Sequence, residues 1–105
     1  MTTTTRLCGL DDLVDGGARR FEVDGRDVAV IRIGDDVYVI GDRCSHADVS
    51  LSDGEVDADE CTIECPKHGS EFDLATGEPR SLPAVRPVPS YVARVDGGDV
   101  IVEVS

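Results

Sequence analysis

Apolar positions in this chain come in short, alternating runs, with turn residues between them at regular intervals. Residues 4–8 read as a first strand. Leu10, Leu13 and Val14, set among Asp11 and Asp12, predict a short helical turn that Gly16-Gly17 ends. Ala18–Val23 is followed by Asp24-Gly25, a strong two-residue hairpin signal. Arg26–Ile33 is the return strand, with Val28, Val30 or Ile31, and Ile33 available for burial. Gly34-Asp35 turns the chain, and residues 37–40 form a β-branched strand that leads into Gly41-Asp42-Arg43.

Beyond residue 46 the chain is acidic and loop-like, with a turn at Asp53-Gly54. Residues 55–57, Thr62–Glu64 and Glu71–Asp73 predict three short strands, the last closed by a turn at Thr76-Gly77. Pro79, Pro83, Pro87 and Pro89 hold the following segment extended, since each fixes φ and removes a backbone donor. Residues 91–95 alternate as a strand, Gly97-Gly98 turns, and Asp99–Val104 returns. No segment sustains a 3.6-residue period, there is no internal repeat, and an all-β fold is the natural reading. At 105 residues the chain forms one domain. Residues 43–80 are expected to make a small subdomain on a base built from residues 1–42 and 81–105.

Composition narrows the function. With 22 acidic against 10 basic residues the formal net charge is −12. That argues against a nucleic-acid partner, whose phosphates would be repelled. It suits a protein that meets a basic surface, with association that slows as salt rises; a plain gain in solubility is the bland alternative. Residues 1–6 hold four threonines and no apolar run, so a signal peptide is not expected. No stretch approaches the ~18 apolar residues of a membrane span. The location expected is the cytoplasm.

The chemistry is concentrated between residues 44 and 68. Cys44-Ser45-His46 is followed, after eighteen intervening residues, by Cys65-Pro66-Lys67-His68. The chain has only two histidines, and both lie in these motifs. Like pairs, two cysteines and then two histidines, would suggest a zinc finger. Two mixed pairs suggest two loops clamping a [2Fe–2S] cluster, one iron held by Cys44 and Cys65 and the other by His46 and His68. Cys8 and Cys61 are left over. They read as free thiols of a reducing compartment, with a Cys8–Cys61 bridge as the alternative. Cys61, four residues before Cys65 in a strand-like run, would share a face with it and serve packing.

Together with His68-Gly69-Ser70, Phe72-Asp73, Thr76-Gly77 and Leu82-Pro83, these motifs give the chain a resemblance to the Rieske ferredoxins, small electron carriers of bacterial oxygenase systems. The resemblance covers most of the chain. It implies an antiparallel β-sandwich base carrying a cluster-binding subdomain, one Rieske-type [2Fe–2S] cluster per chain, and ligation by Cys44, His46, Cys65 and His68. It implies surroundings formed by Gly69, Ser70, Phe72 and Pro83, with Leu82-Pro83 in the loop that covers the cluster. It also implies the partners, a flavin-dependent ferredoxin reductase as donor and a terminal oxygenase as acceptor. No substrate chemistry is expected of the protein itself.

Two histidines in place of two cysteines make the cluster formally neutral when oxidised, so it accepts an electron more easily. The potential rises to roughly −150 to +300 mV, against about −400 mV for plant-type clusters. In high-potential Rieske proteins two further cysteines form a bridge between the loops; Val49 and Lys67 stand at those positions here. Such proteins also aim serine and tyrosine hydroxyls at the cluster. Ser70 matches the serine, but Phe72 stands at the tyrosine position. A low-to-intermediate potential is expected. Other readings of the same residues are a Rieske-type small subunit of another reductase, a cluster-assembly-associated ferredoxin, or a zinc-stabilised interaction module.

Overall fold

The structure, a computed structural model, describes residues 3–44, 48–67, 69–82 and 86–104. Asp24 and Gly25 both adopt positive φ, 52° and 77°, as a two-residue hairpin turn of matching twist requires. That turn joins β2 (Ala18–Val23) to β3 (Arg26–Ile33), and β3 pairs in turn with β4 (Asp36–Gly41). Ahead of them lie β1 (Thr3–Gly9) and a 3-10 turn at Leu10–Asp12. Arg32 fixes the segment after that turn, donating to the Leu10 and Leu13 carbonyls. At the far end of the chain, β8 (Ser90–Asp96) and β9 (Asp99–Val104) form a hairpin, and β9 also pairs with β1.

These six strands run in the order β1-β9-β8-β4-β3-β2. The β4–β8 junction is only Val39↔Tyr91 and Ile40↔Ser90. On either side of it the halves fold together as an antiparallel β-sandwich. Between them lies one core, with Val23, Val28, Val30 and Val39 from one half and Cys8, Val100 and Val102 from the other.

A second sheet is made of β5 (Val56–Asp57), β6 (Thr62–Glu64) and β7 (Glu71–Asp73), preceded by a 3-10 turn at Leu51–Asp53. Its apolar face closes a second core, in which Leu51, Ile63, Phe72 and Leu74 meet Ala29, Ile31 and Ile40. The β3–β4 layer is therefore buried on both faces. Val28 and Val30 point into the first core, Ala29 and Ile31 into the second, and all four are fully buried. This explains the unbroken apolar run: strict alternation belongs to strands with one wet face. The sequence reading left burial of Val30 or Ile31 open, and the structure buries both. Each such side chain contributes about 1.5–3 kcal/mol.

Two local features depart from the sequence reading. The stretch after residue 46 contains the 3-10 turn whose Leu51 is fully buried. Cys61 does not lie in a strand beside Cys65: it precedes β6 in the left-handed region, φ 57°, with its carbonyl accepting from Leu74 N–H at 3.0 Å. Among the described residues no helix is long and apolar enough to cross a membrane.

Candidate metal centre

β4 ends three residues before Cys44, and β6 ends directly before Cys65. The first loop is closed at its base by the Arg43↔Ser50 bridge. Inside it, Cys44 N–H donates to the Val49 carbonyl at 3.0 Å. The second loop joins β6 to β7 above the Glu64↔Glu71 pair. Inside it, Cys65 N–H donates to the Ser70 carbonyl at 2.7 Å, and Gly69 N–H returns to the Cys65 carbonyl at 3.0 Å. Gly69 has φ 75°, a backbone angle that a side chain resists. Each loop thus begins with a cysteine whose amide holds the carbonyl five residues on.

Buried groups fix the feet of these loops. Asp42, 3% exposed, accepts from Ser50 Oγ and from Ser52 N–H at 3.0 Å, and its own carbonyl accepts from Leu51 N–H. One buried carboxylate therefore ties the 3-10 turn to the end of β4. Gly54 ends that turn against β6, so closely that a Cβ there would overlap the Glu64 carbonyl oxygen. Asp42, Ser50 and Leu51 were not singled out from the sequence. The only hint was the apolar Leu51 between two serines in an acidic stretch.

Cys44 and Cys65 are 4% and 1% exposed, unbridged, and belong to the same apolar core with Phe72 and Leu51. Ser70 is also fully buried. His46, His68 and Pro83 lie outside the described residues. Cys8 and Cys61 form no disulfide either. Burial pushes the Cys8 thiol above its ordinary pKa, with Asp12 adding to it, so it stays protonated in the sandwich core. Cys61 packs against the second core beside Tyr38, whose hydroxyl it raises above the usual tyrosine value through their hydrogen bond.

The region after β7 wraps back over this end of the molecule. Pro79 bridges to Phe72, and Glu71 N–H donates to Ser81 Oγ at 2.9 Å. Gly77, φ 78°, packs directly on the Val88 backbone, which donates to its carbonyl at 2.8 Å. Leu82 is left 77% exposed.

The family model of the Rieske [2Fe-2S] domain matches residues 3–92. The chain belongs to that family. The Rieske chain is 38% identical, over 96 residues, to the 3-phenylpropionate/cinnamic acid dioxygenase ferredoxin subunit of Escherichia coli K12, covering 91% of this chain and 89% of the relative. Its structure is similar to the ferredoxin of carbazole 1,9a-dioxygenase from Nocardioides aromaticivorans IC177, with a TM-score of 0.93 and 45% identity over 95% of this chain and 96% of that one. It is also similar to a chain in the complex of reduced oxygenase and oxidised ferredoxin of carbazole 1,9a-dioxygenase, with a TM-score of 0.86 and 38% identity over 94% and 91%.

The Rieske protein thus carries a Rieske-type [2Fe–2S] cluster and is an electron carrier, not an enzyme acting on a substrate. The described residues fit such a group. Two unbridged thiols from different loops reach one core. That core is apolar, which suits a cluster whose ligands and irons sum to no net charge when oxidised, since a strongly charged group would pay heavily for burial there. The cluster supplies a site for one electron; the chain supplies burial, two loops each closed at its base by a backbone hydrogen bond from its cysteine, and an electrostatic setting.

Proposed function

We propose that this protein is a soluble cytoplasmic one-electron carrier that takes electrons from a flavin-dependent ferredoxin reductase and passes them to a terminal oxygenase. Residues 43–80 form its cluster-binding subdomain. Cys44 and Cys65 hold one iron, and His46 and His68 the other. Gly69 and Ser70 shape the second loop, Phe72 packs beneath the cluster, and Pro83 belongs to its cover.

The observation that carries this reading is that Cys44 and Cys65, unbridged and buried, belong to a single core, each donating its N–H to the carbonyl five residues on. The oxygenase as partner is supported by likeness to a ferredoxin seen in complex with one. The test is reconstitution. Purified ferredoxin reductase, NADH and this protein should reduce a dioxygenase terminal component, and the rate should vanish when this protein is omitted. Reduction at the same rate without it would overturn the carrier role.

A further inference from the structure

Asp42 is a buried carboxylate two residues before Cys44, which is buried as well. Two steps of chain keep their Cα atoms within about 7 Å of each other. Both carboxylate oxygens accept hydrogen bonds, Oδ2 from Ser50 Oγ and Oδ1 from Ser52 N–H at 3.0 Å. The backbone is fixed too. The Asp42 N–H donates to the Asp27 carbonyl at 3.1 Å, and the Asp42 carbonyl accepts from Leu51 N–H. The group therefore has one place in the fold, at the foot of the first cysteine-bearing loop.

These hydrogen bonds give no reason for a charge. An amide oxygen would accept from Ser52 N–H equally well, and the Ser50 hydroxyl can accept from an amide as well as donate to a carboxylate. Ser52 Oγ, 2.8 Å from Ser50 Oγ, is placed to take the Ser50 proton in that case. A carboxylate costs more to bury than an amide. Among the described residues no ion pair reaches Asp42. Nor do its neighbours cancel it. Arg20, Asp27, Arg43 and Asp48 share with Asp42 the lining of a cavity of about 200 Å³; all four are exposed, and their formal charges sum to zero. What is left over is the charge on Asp42, the one that water screens least.

We infer that the buried charge of Asp42 lowers the midpoint potential of the cluster. The inference rests on the ligation by Cys44 proposed above. The cluster is formally neutral when oxidised and becomes an anion on taking one electron. A fixed anion close by disfavours the reduced form and leaves the neutral oxidised form almost untouched. Across about 10 Å, at an effective dielectric constant of about 20, the equilibrium constant for reduction falls on the order of tenfold. For one electron that is about 59 mV. Asp42 thus makes the reduced carrier readier to give up its electron, and acts on the reaction without touching the reacting atoms.

The test is voltammetry of the holoprotein at neutral pH, with the electron paramagnetic resonance spectrum recorded on each sample. D42N should keep the Rieske spectrum and show a higher midpoint, its equilibrium constant for reduction raised on the order of tenfold. D27N removes an equal charge from an exposed position of the same cavity and should keep the parental midpoint. S50A keeps the charge of Asp42 and removes a donor that offsets it, so its midpoint should fall. That variant also decides the matter if D42N holds no cluster. A loosened loop admits water, which stabilises the reduced anion and raises the midpoint, whereas a charge stripped of a donor lowers it. A parental midpoint in D42N, a rise in D27N equal to that in D42N, or an S50A midpoint at or above the parent's would each overturn the inference. A parent protein with no Rieske spectrum would instead overturn the ligation reading on which it rests.

Discussion

Cys44 and Cys65 stand at equivalent points of two loops: each donates its backbone N–H to the carbonyl five residues on, Cys44 to Val49 at 3.0 Å and Cys65 to Ser70 at 2.7 Å. One loop leaves the β-sandwich through β4, the other leaves the small sheet through β6. Both thiols then meet in the core that joins the two sheets. Each cysteine is thus held by its own backbone amide.

Ligand exchange tests the charge argument. Cys44→Ser and Cys65→Ser should each abolish the cluster, read as loss of bound iron and sulfide. His68→Cys, if it retains a cluster, replaces a neutral ligand by an anionic one. Its potential should fall from the Rieske range towards about −400 mV. Retention of the parental potential in that variant would contradict the account.

Leu51 is the strut under the first loop. It is fully buried between the sandwich and the small sheet, and Asp42 holds its turn. Leu51→Ala should cost about 2–5 kcal/mol, as large-to-small core changes do. Thermal melting should show the loss, accompanied by faster release of the cluster.

Asp73 gives a pH signature. Burial raises its pKa, but hydrogen bonds from Arg80 and from the Ala75 and Thr76 amides outweigh that and hold the carboxyl below the usual aspartate range. A depressed folded-state pKa stabilises the fold above the unfolded value, about 3.9. That stability is lost as pH falls through the folded value. Wild type should therefore be more stable than Asp73→Asn at neutral pH, and the difference should shrink through the acid range in denaturation curves.

On the proposed ligation, Ser70 and Phe72 would tune the potential. Both are fully buried, Ser70 bonded through its carbonyl to Cys65 N–H and Phe72 in the same core as Cys65, and only Ser70 brings a hydroxyl. With Val49 and Lys67 at the positions of the extra cysteines, the midpoint should lie in the lower part of the roughly −150 to +300 mV Rieske range. Ser70→Ala should lower it further by removing a donor that favours the reduced state. Voltammetry on the two proteins reads both values.

The strand pattern was legible because turn chemistry punctuates it: Asp24-Gly25, Gly34-Asp35 and Gly97-Gly98 each mark a reversal that the structure contains. The cysteines and histidines stood out by their rarity and mixed pairing. What stayed hidden is what long-range contact creates. The Asp42 carboxylate holding the 3-10 turn has no local signature, since its partners Ser50 and Ser52 lie beyond the first loop. The left-handed angle at Cys61 is held by a pairing with Leu74 that no window around Cys61 reveals. Glu64 and Glu71 were visible as acidity, but only strand register shows that they face one another.

The most direct test of the central claim is electron paramagnetic resonance of the purified protein after dithionite reduction, with iron and sulfide assayed on the same sample. A rhombic signal whose average g lies below that of an all-cysteine cluster, with equal iron and sulfide, is the result predicted. A silent, colourless protein containing stoichiometric zinc and no sulfide, even after anaerobic preparation, would contradict it.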